Sequence, residues 1–161
     1  MLRRILLLTA LVATPAQARD ALGVFGQWAA FRDSLTPRCY AIAMPQSAAQ
    51  ERKFQPFAAV GWWPRQKVNG QVHFRLSRKL QPGAPVTLTI AGKRIALIGG
   101  GADAWAADKR GDAMIMAAMR SVTEMTVSGR DSSGQTFANR YKLDGAATAM
   151  DAAAVGCAQL R

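Results

Sequence analysis

The chain has one histidine, two cysteines and only 10 acidic residues in 161. A lone histidine excludes metal centres built from several imidazoles, and it leaves any histidine-based triad a single possible centre, His73. Two cysteines, Cys39 and Cys157, cannot by themselves make a zinc site. Nucleotide fingerprints are missing too. Gly99-Gly100-Gly101 is not followed by Gly-Lys-Ser/Thr and does not open a Gly-x-Gly-x-x-Gly pattern, so it reads as a loop after a strand, and no cofactor is implied. A membrane-spanning run is lacking as well. The apolar stretch near the start is closed by Thr14, Pro15 and Gln17, short of the roughly 20 residues a bilayer core requires.

That short stretch has the layout of an export signal. Arg3 and Arg4 precede the apolar run Ile5 to Val12, and Ala16-Gln17-Ala18 places small residues where a signal peptidase cuts. The reading is a cleavable signal peptide over 1–18 and one domain over 19–161, periplasmic or secreted in a bacterium. Export into an oxidising compartment predicts a Cys39–Cys157 disulfide tying the two ends of the domain together. Of the 21 basic residues, Arg3 and Arg4 leave with the signal, so 19 remain against 10 acidic ones, a net +9. That excess favours acidic partners, either an anionic envelope component or a protein surface. Nucleic acid is disfavoured, since neither an aromatic RNA-binding motif nor a recognition helix is visible.

Along the mature chain, short β-compatible runs alternate with turn residues, and helical periodicity is confined to the last third. Phe25 to Phe31 and Cys39 to Met44 suggest a first hairpin, and Phe57 to Trp63 a strand ended by Pro64. Ser47 to Gln55 reads as a loop or irregular helix. Asn69-Gly70 is the sharpest turn signal. Val72, Phe74 and Leu76 then alternate with His73, Arg75 and Ser77, which assigns the first set to the core and the second to the polar face. Val86 to Ile90 and Lys93 to Ile98 form a hairpin about Ala91-Gly92, and Glu124 to Arg130 and Gln135 to Leu143 another about 131–134. Asp112 is placed to cap a helix carrying Ile115, Ala118, Met119 and Val122, and Asp144 to cap one carrying Ala146, Ala149, Met150 and Ala153. The fold expected is mainly β, an antiparallel sandwich-like single domain with one or two short C-terminal helices.

Three groups of residues are candidates for function. Arg75, Arg78, Lys79, Lys93 and Arg94 would make a cationic rim for an anionic partner if their turns converge. Trp62, Trp63 and Trp105 are candidate aromatic contacts, weighed against a role as core anchors. His73 reads as a surface residue of the polar face. As a catalyst it would need Asp103, Asp108 or Asp112 beside it, which defines the alternative reading of a small envelope hydrolase. The same aspartates do not have calcium-loop spacing, and Lys109 and Arg110 between them oppose a cation, so no metal is expected.

Taken in order, Phe25-Gly26-Gln27-Trp28, the cysteine strand Pro37 to Ile42, Ala113 to Arg120, Met125-Thr126-Val127 and Tyr141 to Gly145 before Cys157 resemble the invasion-associated locus B family of bacterial exported proteins. The resemblance implies a compact β-rich envelope protein with no established enzymatic reaction, hence a non-catalytic binding or accessory module. The chain departs from the pattern in having Phe31 and Arg32 where an additional cysteine is expected, so a second disulfide is absent.

Overall fold

The computed structural model describes residues 19–46 and 54–160. The expected signal peptide lies outside them, as does most of the polar segment after Gln46. The described chain is mainly antiparallel β with two helices, as its alternation predicts. Ten strands run β1 (Asp20–Phe25), β2 (Trp28–Asp33), β3 (Arg38–Ala43), β4 (Phe57–Trp63), β5 (Val68–Arg75), β6 (Val86–Ile90), β7 (Lys93–Gly100), β8 (Asp103–Trp105), β9 (Glu124–Arg130) and β10 (Thr136–Lys142). Helix α1 (Lys109–Met119) precedes β9, and α2 (Ala146–Ala158) ends the domain.

Hydrogen bonding is continuous through one sheet in the order β1-β2-β3-β4-β5-β8-β7-β6-β9-β10. The halves of that sheet meet in a single core. Trp28 of β2 is fully buried and donates from its indole to the Lys142 carbonyl at the end of β10 (2.9 Å), and Phe74 of β5 packs on Tyr141 of β10. Helix α2 lies across β1 to β4 and buries the alanine stripe Ala146, Ala149 and Ala153 with Met150. Small side chains let it approach the sheet closely, and Cys157 in its last turn is bonded to Cys39 of β3, across 118 positions.

Several local expectations are corrected. The run Phe25 to Phe31 is not one strand; it contains a two-residue turn at Gly26-Gln27, so the extra edge strand β1 precedes the hairpin of β2 and β3. Asn69-Gly70 lies inside β5, and the reversal before it is made by the turn Pro64–Gln66 with Lys67 left-handed (φ 56°). Gly70 is needed for its backbone, whose φ of 85° side-chain-bearing residues rarely adopt. Gly99 and Gly100 extend β7 and pair with the unforeseen three-residue β8. Asp108, rather than Asp112, caps α1 by accepting the Gly111 amide (2.7 Å). Gly145, at φ 82°, starts α2 in place of Asp144, because the turn at Gly26 presses against this corner and Gln27 donates to the Asp144 carbonyl.

Asp112 has a different task. Strand β8 covers only His73 to Arg75 of β5, so the rest of that β5 edge has no strand partner among the described residues. Asp112, buried on the first turn of α1, accepts the Val72 amide at 2.8 Å and closes this gap. Burial raises its pKa above the ordinary value, partly offset by that same hydrogen bond. Among the described residues no helix is long and apolar enough to cross a membrane.

Candidate functional site

The register of β3, β4, β5 and β8 generates the site. With Cys39, Ala41, Ala58, Val60, Val72 and Phe74 pointing inward, the intervening residues of each strand share the outer face. Across it, Ile42, Ala59, His73, Trp105 and Ile98 form one row of paired positions, and Tyr40, Gly61 and Gln71 a second. A third row runs Phe57, Arg75, Asp103 and Gly100. Outward residues of β4 between its aromatic ends are small, Ala59 and Gly61, whereas β3 and β5 carry large ones. A bowl of about 240 Å³ results, lined by Tyr40, Ile42, Phe57, Ala59, Trp63 and His73, with Arg19, Arg38 and Gln71 at its margin. Trp63 leans over Gly61 so closely that any side chain there would collide with its ring.

His73 is the hub of the outer face. Its imidazole stacks on Trp105 (ring centroids 5.2 Å, planes 7° apart) and meets the Phe57 ring edge-on at 5.2 Å. Its Nε2 lies 2.9 Å from one Asp103 oxygen, and the other oxygen accepts from Arg75 Nη1 at 2.5 Å. One carboxylate thus binds two cationic or donor groups side by side on β5, and Arg75 also donates to the Phe54 carbonyl. Of the three aspartates considered as partners for His73, only Asp103 is there; Asp108 caps α1 and Asp112 serves Val72. Asp103 was reachable from sequence as a candidate, but nothing in three residues of β8 singled it out.

The predicted cationic residues do not gather on one surface. Arg75 is neutralised by Asp103. Arg78 is bound to Asp131 (2.8 Å) at the tip of the β9–β10 hairpin, and the Lys79 carbonyl accepts the Ser132 amide there. Lys93 and Arg94 begin β7, whose far end at Gly100 is the one beside Arg75, so about 20 Å of strand separates them. The tryptophans divide by parity: Trp63 and Trp105 belong to the outer face, whereas Trp62 turns inward, packs against the core and lies near Gly70 and Met116. Sequence reasoning missed Tyr40, Ile42 and Phe57, although each follows from alternation once its inward neighbours are assigned. Arg38, also missed, sits over the Tyr40 ring (5.6 Å to its centroid) and approaches Asp33 at 3.4 Å.

No family model, no curated protein and no solved structure matches the chain.

Proposed function

We propose that this is an exported, non-catalytic binding or accessory module of the bacterial envelope, of the kind the invasion-associated locus B resemblance implies, and that it meets an anionic partner through the outer face of β3, β4, β5 and β8. The observation that carries the reading is the unequal treatment of the sheet's two faces. The inner face is sealed by the core and α2, while the outer one presents Tyr40, Phe57 and Trp63 around a bowl with arginines at its margin, and Trp105 stacked behind His73. Aromatic side chains left part-exposed together, most of them with a polar tip, are the composition of binding surfaces.

The test is capture from an envelope extract by the mature protein. An outer-face variant, Arg38→Glu with Trp105→Ala, is expected to lose the captured material, and Lys93→Glu with Arg94→Glu to retain it. Capture should also weaken between 0.15 M and about 1 M salt, because exposed charges are screened within several ångströms there. Salt-insensitive capture that survives the outer-face changes refutes the reading. Mass spectrometry of the exported protein should find Arg19 as its first residue.

The 2.9 Å His73–Asp103 contact favours one alternative, a small hydrolase. With Asp103 on Nε2, a nucleophile would have to approach Nδ1. Among the described residues the bowl's lining supplies no serine, threonine or cysteine. Turnover of a chromogenic ester or peptide that disappears in His73→Ala would establish the alternative over the binding reading.

A further inference from the structure

We infer that the bowl over Ala59 is a binding site for a small aromatic carboxylate, one apolar ring carrying a single acid group. The inference rests on the outer face being the binding face. Backbone spacing sets the width: β3 and β5 flank β4, so the walls rise from strands about 9.5 Å apart over a floor without large side chains. A dry cavity of roughly 150 Å³ holds benzene, so about 240 Å³ holds a ring with a short acid arm.

Polarity selects the ring. The polar groups of the lining, Tyr40, Gln71, His73 and the two arginines, stand round its walls and margin, while Ile42, Phe57 and Ala59 offer no partner to the hydroxyls a sugar carries on nearly every carbon, whereas an aryl ring over them needs none. Charge then orients the acid. At the Phe57 end the cation Arg75 is already taken by Asp103, and a second carboxylate would face a like charge. At the Tyr40 end, Arg38 faces Asp33 at 3.4 Å through Nε but makes no hydrogen bond to any described residue, and Arg19 stands nearby, so two guanidiniums face one carboxylate and their donors are available to a ligand acid. The ligand therefore lies along β4, ring over Ala59 and acid toward Arg38.

The mature, oxidised protein is titrated with 3-phenylpropionate, 3-phenylpropanol and glucuronate, by calorimetry and by amide NMR shifts. Saturable binding of 3-phenylpropionate is expected at about 1 mM or tighter, with shifts at Ala59 and Gly61 and at least about fivefold weaker binding of the other two. Arg38→Gln should weaken the acid about tenfold and leave the alcohol unaffected. Ala59→Leu fills the bowl and should abolish binding while its melting temperature stays near that of the parent. Absence of saturable 3-phenylpropionate binding, equal binding of the alcohol, or unchanged binding by a folded Ala59→Leu variant overturns the inference. The two proposals fail separately. Extract capture that persists without 3-phenylpropionate binding removes only the ligand class, and 3-phenylpropionate binding without extract capture removes only the envelope partner.

Discussion

Removing the Cys39–Cys157 bond is the perturbation whose size can be worked out most directly. The bond closes 118 positions, and the chain-entropy relation gives about 16 cal/mol/K for a loop of that length, about 5 kcal/mol at 25 °C. Measured losses for native disulfides run from about 2 to 5 kcal/mol. Alanine is the right replacement at both positions, because Cys39 and Cys157 are buried and serine would leave two hydroxyls in an apolar site. For a domain of this size, 4 to 5 kcal/mol corresponds to a midpoint about 10 to 20 °C lower. Thermal and urea unfolding of Cys39→Ala/Cys157→Ala beside the oxidised parent measures it. The urea slope should also rise in the variant, since its unfolded chain exposes more surface without the cross-link. If the bond acted only by pinning the end of α2, hydrogen exchange would quicken in that helix alone and the global midpoint would hardly move. A double variant melting within about 2 °C of the parent, with an unchanged slope, refutes the unfolded-state argument.

Asp112→Ala should cost about 1 to 3 kcal/mol in urea unfolding, because it leaves the Val72 amide buried without an acceptor, while Asp112→Asn keeps an acceptor and most of the stability. Since the folded pKa of Asp112 is raised, the stability linked to its protonated form is lost as pH rises through that value, so the parent should gain on Asp112→Asn toward acid. Asp131 behaves oppositely. The Ser133 hydroxyl, and after it the Arg78 guanidinium, hold its carboxyl well below the ordinary 3.8. Its contribution is full above that value and lost as pH falls through the lower folded one; the gap between parent and Asp131→Ala midpoints should therefore shrink from about pH 4 to 2. Tyr141→Phe should be neutral or stabilising, as the buried hydroxyl has no hydrogen-bond partner among the described residues; a loss above about 1 kcal/mol would show that it has one. Arg120→Ala should change stability by less than about 1 kcal/mol, because its pairing with Asp151 is exposed on both sides.

Elements with a strong period were legible in the chain, and so were their faces. Val72, Phe74 and Leu76 are inward, His73 and Arg75 are outward, and Ala146, Ala149, Met150 and Ala153 form the buried stripe of α2. Turns were less so, because the strongest local signal, Asn69-Gly70, marks a positive φ (85°) that Gly70 adopts inside β5, while the reversal itself is made at Pro64–Gln66. The site was hardest. Asp103 reaches His73 only because β8 pairs with β5 across 30 positions, and a strand of three residues has too little length to show alternation. The proposed rim depended on convergence in space. Sequence could supply the charges but not the fact that Arg75 and Arg78 each face an aspartate from a distant strand or turn.

The fate of those two arginines bears on where an anion can bind at all. A carboxylate beside a guanidinium occupies some of its hydrogen-bond donors and offsets much of its field, so formal charge is a poor guide to the electropositive part of this surface. Arg75 and Arg78 are spent on holding β8 and the β9–β10 hairpin in place. Arg32, likewise, is bound to Asp20 across β1 and β2. Arg38 differs in having its carboxylate neighbour at 3.4 Å without a hydrogen bond, with its cation over the face of Tyr40. It also lines the one place where β4 leaves the outer face hollow. Unengaged guanidinium donors and available volume therefore coincide at the Tyr40 end of the bowl, where Arg38 and Arg19 face the single carboxylate of Asp33, which is why Arg38, not the more numerous cations of the turns, is the residue on which anion recognition by this face should depend.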